Sequence, residues 1–420
     1  MFKISQLPSG VRVATAEMAH MESVSIGVWV GVGGRYESAR LSGASHFIEH
    51  LLFKGTQRRN AKQISQTVEG IGGYLNAFTS EETTCYYAKA SHEHLGTLLD
   101  VLTDMYLHPR FAVIDIDKER GVIKEELLMY RDQPDHYVQE LLTETLWPGH
   151  PLGRSLTGSA ETLDAMDRGA LLGFKKTKYV AANTVLAVAG RCEHDAVVER
   201  VELLLTLPRN GRAPAFVSAH EQQRAPRLRF FNKNCEQSHL AIGVRGYSRH
   251  DTRRYALKTL SVILGENMSS RLFQVIRERH GLAYSIQSST SYFADTGALL
   301  ISAGLDTKRL QRALALILAE LRKISKRPPS AVELQRAQDY AIGQMRLGLE
   351  STANRMMWLG EHLLAYGAIQ TPAEVEQRIT GVTAADVQDV AADLFRDNRL
   401  NVAVITPSKD ERSIKAVTSF

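Results

Sequence analysis

The chain repeats itself. Gln66-Thr67-Val68 with Gly73 in the first half reads like Gln274-Val275-Ile276 with Gly281 in the second, at one offset (274 − 66 = 208). The order of predicted elements repeats around this register, and a repeat constrains the fold more than any local pattern. In the first half, strand patterns near 10–16 and 23–32 precede helical patterns near 44–54 and 61–71. Strands near 73–79 and 83–90, helices near 92–107 and 114–146, and a helix, strand and helix near 167–205 complete it. The second half has strands near 227–233 and 238–246, helices near 252–264 and 269–279, and strands near 284–291 and 296–303. Long helical patterns then run to about 394, before a strand at 399–405. Hairpin strands grouped with long helices, present twice, predict an α+β protein. It would contain two homologous α/β-roll domains, each an antiparallel-rich sheet packed with helices, duplicated within the chain.

A chain of 420 residues is too long for a single core. Pro208, Gly211, Pro214 and Pro226 punctuate a polar stretch. The expected division is therefore a first domain at 1–210, a linker at 211–227 and a second domain at 228–420.

The two halves differ in chemistry. His46-Phe47-Ile48-Glu49-His50 falls in an expected helix of the first half. Its histidines stand at i and i+4, so both imidazoles leave one face and can share a small cation. Glu49, between them, is placed to take a proton from a water held there. Neutral imidazole suits Zn²⁺, which takes three protein ligands in catalytic sites. Ser42 and Ser45 are candidate caps for this helix, Phe47, Leu51 and Leu52 form its apolar stripe, and Gly55 is its expected stop. The plain alternative is a pair of ordinary histidines on a half-exposed helix, and a third ligand decides between the two. At the 208 offset the second half carries Arg254, Leu257 and Lys258, a scaffold without ligands.

The helix expected to begin near Ile114 offers that third ligand. Glu119 and Glu126 are two helical turns apart and share one face. Val122, Ile123 and Leu127 flank the face, which implies burial, and buried carboxylates need a cation or strong donors. Glu125 reads as a solvated neighbour.

His46-x-x-Glu49-His50 is followed by Glu126 (126 − 50 = 76 residues on), inside Glu119-Arg120-x-Val122-Ile123-x-x-Glu126. This combination resembles the inverted-zincin peptidases, the pitrilysin/insulinase family. The short two-domain form is similar to its processing-peptidase-like bacterial branch. The resemblance spans nearly the whole chain and implies a zinc-dependent endopeptidase. By that resemblance one Zn²⁺ per chain is held by His46, His50 and Glu126, with Glu49 as general base and Glu119 supporting the site from behind the ligands.

Other segments carry the likeness further. Gly72-Gly73-Tyr74-Leu75-Asn76-Ala77-Phe78-Thr79-Ser80 resembles the family's active-site edge strand. It implies that extended or unfolded peptides bind by strand addition and touch Asn76, Ala77 and Phe78. Arg277 and Tyr284 match the family's Arg/Tyr pair, which implies contact with substrate and with the tetrahedral oxyanion. Without the resemblance they read as a surface arginine and a core tyrosine. The branch encloses peptides in a chamber between two facing subunits, so the resemblance implies a homodimer in which Arg277 and Tyr284 complete the partner's site. Leu264-Gly265-Glu266-Asn267-Met268 is not the glycine-rich loop of that branch's zinc-free partner subunit.

Composition narrows the remaining classes. The 51 basic and 46 acidic residues leave +5, with no dense basic run, so no nucleic-acid partner is expected. No apolar run approaches the roughly 18 residues of a membrane span. Cys85, Cys192 and Cys235 stand isolated, and the chain opens on a strand-like pattern without a signal or transit peptide. A cytoplasmic location is expected. Two other readings stay open: a non-cleaving assembly module on the same fold, and a different metal hydrolase using the same trio. The full set of site residues weighs against the first, and the edge-strand segment against the second.

Overall fold

The computed structural model describes residues 2–208, 211–220 and 222–420. Met1, Arg209 and Asn210, at the bounds of the expected first domain, and Glu221, inside the expected linker, lie outside the described residues. The chain forms two compact units. The first comprises 1–127, 154–217 and 347–370, and the second 128–153, 218–346 and 371–420. They are not consecutive halves, because each takes in a helical segment that the linear order assigns to the other.

The first unit is built on a six-stranded sheet. Its strands are β1 (Phe2–Gln6), β2 (Arg12–Glu17), β3 (Ser23–Val30), β4 (Tyr74–Thr79), β5 (Thr84–Ser91) and β6 (Thr184–Gly190), in the order β1-β2-β6-β3-β5-β4. β2 and β6 run parallel, and the other pairs antiparallel. The central strands β3 and β6 are covered on both faces and so read as near-continuous apolar runs. On one face Val24, Ile26 and Val28 share a core with Phe47, Ile48 and Leu51 of helix α1 (Ala44–Leu52). On the other, Trp29, Val185 and Ala187 meet Met356, Leu359 and Leu363 of the helix Thr352–Tyr366. That helix approaches closely because Gly360 faces the indole: a Cβ there would lie 2.1 Å from Trp29 Nε1.

The second unit repeats the plan. Strands β7 (Arg227–Asn232), β8 (Ser238–Gly246), β9 (Ala283–Tyr292), β10 (Gly297–Leu305) and β11 (Asn401–Thr406) are ordered β7-β11-β8-β10-β9. Strand for strand this is β2-β6-β3-β5-β4, including the parallel pair β7–β11. The duplicated α+β architecture is therefore as expected, with sheets that are mixed rather than wholly antiparallel. Here the second face is covered by the helix Pro134–Leu146, whose Val138, Leu141 and Leu142 pack with Ala241 and Ala403.

Two details differ from the sequence reading. The helical pattern near 114–146 is two helices, α4 (Val113–Asp132) and Pro134–Leu146 (α2, Ala61–Glu69, and α3, Leu95–Leu107, precede them). Pro134 cannot continue a helix but is favoured in the first turn of the next. The repeat register also slips by one at a glycine. α2 and the π-helical stretch Phe273–Arg279 both lead to a glycine at positive φ, Gly72 (71°) and Gly281 (56°). The counterpart of Gly281 is thus Gly72, not Gly73. Among the described residues no helix is long and apolar enough to cross a membrane.

Candidate metal centre

Helix α1 starts abruptly. Its first residue follows Gly43 at φ 95°, and neither Ser42 nor Ser45 caps it with a side chain. The cap comes instead from Glu37, whose carboxylate accepts from Gly43 N–H and Ser45 N–H, each at 2.7 Å. Carboxylate at a helix N-terminus is favoured by orphan N–H donors and by the dipole. Burial opposes this and pushes Glu37 up to about 7. The helix ends at Leu52, and Gly55 takes φ 125° three residues later rather than closing it. Thr56, Arg58 and Arg59 then tie the outgoing loop to the buried Asp104 of α3.

His46 and His50 leave α1 on one face with ring centroids 4.6 Å apart. Glu126 arrives from α4, its Oε2 lying 3.7 Å from His46 Nε2 and 3.7 Å from His50 Nε2. Both separations are too long for good hydrogen bonds. They suit oxygen and nitrogen atoms around one ion with bonds of about 2.0–2.2 Å. The three donor atoms all lie within 4.8 Å of one another, and no other such group of His, Cys, Asp or Glu occurs among the described residues. Burial, with His50 beside it, lowers the His46 pKa to about 4, so this ring is in the neutral form that metals bind. Its Nδ1 is buried with no hydrogen-bond partner. The donor set of two imidazoles and a carboxylate fits Zn²⁺.

The supporting residues are as specific as the donors. Glu119, buried in α4, accepts from His50 Nδ1–H at 3.1 Å through Oε2, and Lys54 Nζ meets its Oε1 at 2.8 Å. Such a carboxylate fixes the tautomer that leaves Nε2 for the metal. Of the flanking residues, Ile123 and Leu127 are buried as expected, whereas Val122 is half exposed. Glu49 accepts a 2.5 Å hydrogen bond from Thr79 Oγ1, and burial raises its pKa.

Thr79 ends β4, the outermost strand on its side of the sheet. Alternation splits the strand. Leu75 and Ala77 pack toward the core under α1, while Phe78 meets Trp29 edge-on at 5.5 Å and thereby packs within the unit. Asn76 is exposed, and its Oδ1 accepts from Ala77 N–H at 2.8 Å. Arg277 and Tyr284 lie in the second unit, on the π-helical stretch and on β9. Tyr284 is 78% exposed, so it is not a core tyrosine. The Arg277 guanidinium lies 5.5 Å from its ring and 4.7 Å from that of Phe273.

Sequence reasoning did not single out Glu37, Lys54 or Thr79. Thr79 sits on the same strand face as Ala77, and Glu37 is an acidic residue just before an apolar helix. Those positions are the available signals.

Fold and site together define a metallopeptidase of the H-x-x-E-H type on a duplicated α+β scaffold. The description "Insulinase (Peptidase family M16)" matches residues 12–160, and "Peptidase M16 inactive domain" matches 165–340. The chain is 37% identical to an uncharacterized zinc protease of Mycobacterium tuberculosis, covering 97% of this chain and 94% of that one. It is 35% identical to the uncharacterized zinc protease YmxG of Bacillus subtilis, covering 97% and 99%. The crystal structure of a protease from Helicobacter pylori shares the fold, with TM-score 0.90 at 22% identity over 97% of this chain and 99% of that chain. The chain belongs to peptidase family M16, the insulinase family, and is a zinc metalloprotease.

Proposed function

We propose that the protein is an endopeptidase that cleaves extended or unfolded peptides added as a strand to the open edge of β4. In this reading one Zn²⁺ per chain sits at His46, His50 and Glu126, Glu49 is the general base, and Arg277 and Tyr284 of a partner subunit complete the site in a closed homodimer. One observation carries it: Thr79, at the end of the edge strand, donates to Glu49. A peptide paired along β4 is thereby led to the base.

Zinc at these ligands would supply a Lewis acid for the scissile carbonyl and acidify a water beside it. Glu49 takes the proton of the attacking water and returns it to the leaving amine. Its burial favours holding that proton, and Thr79 keeps the carboxylate aimed. The edge strand reads backbone N–H and C=O groups, which every peptide offers, so side-chain preference is loose. The half-buried Arg277 and the exposed Tyr284 are a cation and a phenol available to an oxyanion.

The test uses the purified chain and an unstructured peptide, with and without chelator. Zinc-dependent cleavage is expected, and Glu49→Gln should retain zinc while losing turnover. A fully active Glu49→Gln enzyme sinks the assignment of the base. Native mass spectrometry that finds only monomer removes the dimer.

A further inference from the structure

Arg35 is a cation whose side chain is wholly buried in the first unit. Its Nη1 donates to Glu82 at 2.6 Å, and its Nη2 and Nε donate to the Val217 carbonyl at 2.8 and 3.3 Å. The ring of Phe216 lies over the guanidinium, 4.0 Å from it, and meets Tyr36 edge-on at 6.0 Å. Phe216 and Val217 belong to a stretch without helix or strand, the polar segment that the sequence marks as a linker. A buried guanidinium must find acceptors for its donors. Here a stretch of otherwise irregular chain provides a carbonyl and an aromatic face.

The other partner, Glu82, sits in the turn that joins β4 to β5. Gly34 N–H donates to Ser80 O at 3.1 Å and Arg35 N–H to Glu81 O at 2.7 Å, so the backbone beside Arg35 is bonded to this turn as well. Gly33 is pressed so close that a Cβ would lie 2.0 Å from Ser80 O. The residue that enters the turn is Thr79, the donor to Glu49.

We propose that Arg35 is a positioning residue for Glu49: it clamps the strap Phe216–Val217 to the β4–β5 turn and so fixes the Thr79 hydroxyl on the base. This rests on Glu49 being the base. Its side chain reaches the base through Glu82 and the turn rather than through a bond to Glu49 itself, so its loss should disturb the aim of one carboxylate and leave the metal in place. A misplacement of about 1 Å in a catalytic group can slow chemistry by about 100-fold.

A double-mutant cycle in the full chain tests it, with kcat, KM, zinc content and thermal midpoint measured for each protein. Arg35→Met and Thr79→Val should each lower kcat about tenfold or more, with zinc content at the parental level and KM changed by less than about threefold. The double variant should fall little below the worse single, because both changes act through one hydrogen bond. Phe216→Ala should reduce kcat and Phe216→Tyr restore it. Parental kcat in folded Arg35→Met, effects that multiply in the double variant, or a loss of zinc that tracks the loss of activity would each overturn the proposal. If Arg35→Met does not fold, Phe216→Ala takes its place in the cycle with the same outcomes. Glu49→Gln separates the two readings: full activity there removes the base, whereas an inactive Glu49→Gln with independent Arg35 and Thr79 effects removes the clamp alone.

Discussion

His50 and Glu119 are joined by a 3.1 Å hydrogen bond, with Nδ1–H donating to Oε2, while Lys54 holds the second carboxylate oxygen at 2.8 Å. The bond turns Nε2 of His50 toward Glu126 and makes the ring a better donor to a metal. Glu119→Ala is expected to weaken zinc affinity by about 10–100-fold while the protein stays folded. Competition with a chromogenic chelator measures it. Parental affinity would show that Glu119 has only a structural part.

Strand addition makes its own demand on β4. Ala77 N–H is bonded to the exposed Asn76 side chain, which a peptide can displace, and an edge strand tolerates proline where its N–H is outside the ladder. Ala77→Pro should leave zinc content and circular dichroism near parental and lower kcat/KM for an unstructured peptide by about tenfold or more, roughly the worth of one or two hydrogen bonds. Unchanged kcat/KM would argue for substrate binding elsewhere.

Glu37 makes stability depend on pH. Its folded pKa is raised from 4.5 to about 7 by burial, so the folded state holds the proton more tightly than the unfolded chain. The stability this confers is fully present below about 4.5 and is lost as pH rises through about 7. Glu37→Gln removes the titration. The parental thermal midpoint, taken relative to that of Glu37→Gln, should therefore fall between pH 5 and pH 8. A difference that stays flat, or rises, contradicts the shift.

The helix Thr352–Tyr366 docks on the first sheet through Gly360. A methyl group there would lie 2.1 and 2.2 Å from Nε1 and Cε2 of the buried Trp29. Gly360→Ala should destabilise by about 1–3 kcal/mol or more through overpacking. Gly343, within the helix Ala331–Gly348, has open space at its Cβ position, and Gly343→Ala should stabilise by about 0.5–1 kcal/mol. Urea denaturation of the two variants reads both signs.

Much of the site was legible before folding because its parts are periodic. His46, Glu49 and His50 occupy a single helical turn, and Glu119 and Glu126 two turns of another, so helix geometry alone assigns each set to one face. The strands β3 and β6 were legible for a different reason, as short continuous apolar runs bounded by turn residues. The capping of α1 was not legible. Ser42 and Ser45 flank the first helical residue, Ala44, yet the acceptor is Glu37, carried there by the turn that precedes the helix. The exposure of Tyr284 was not legible from its surroundings either, for an aromatic residue within a strand pattern gives no sign of facing solvent.

By itself the sequence determined the duplicated α+β plan and the shared faces of His46 with His50 and of Glu119 with Glu126, because each follows from a local period or from a repeat. The choice of Glu126 as third donor and the place of the edge strand came from the family resemblance. Only the tertiary structure decided which helix covers which sheet, with Thr352–Tyr366 on the first and Pro134–Leu146 on the second. An amphipathic helix specifies that a face must be buried and not what will bury it. The tertiary structure also decided that Glu37 meets the start of α1, Lys54 meets Glu119 and Thr79 meets Glu49. Single polar residues carry no period, and their partners are set by the packing that brings distant segments together.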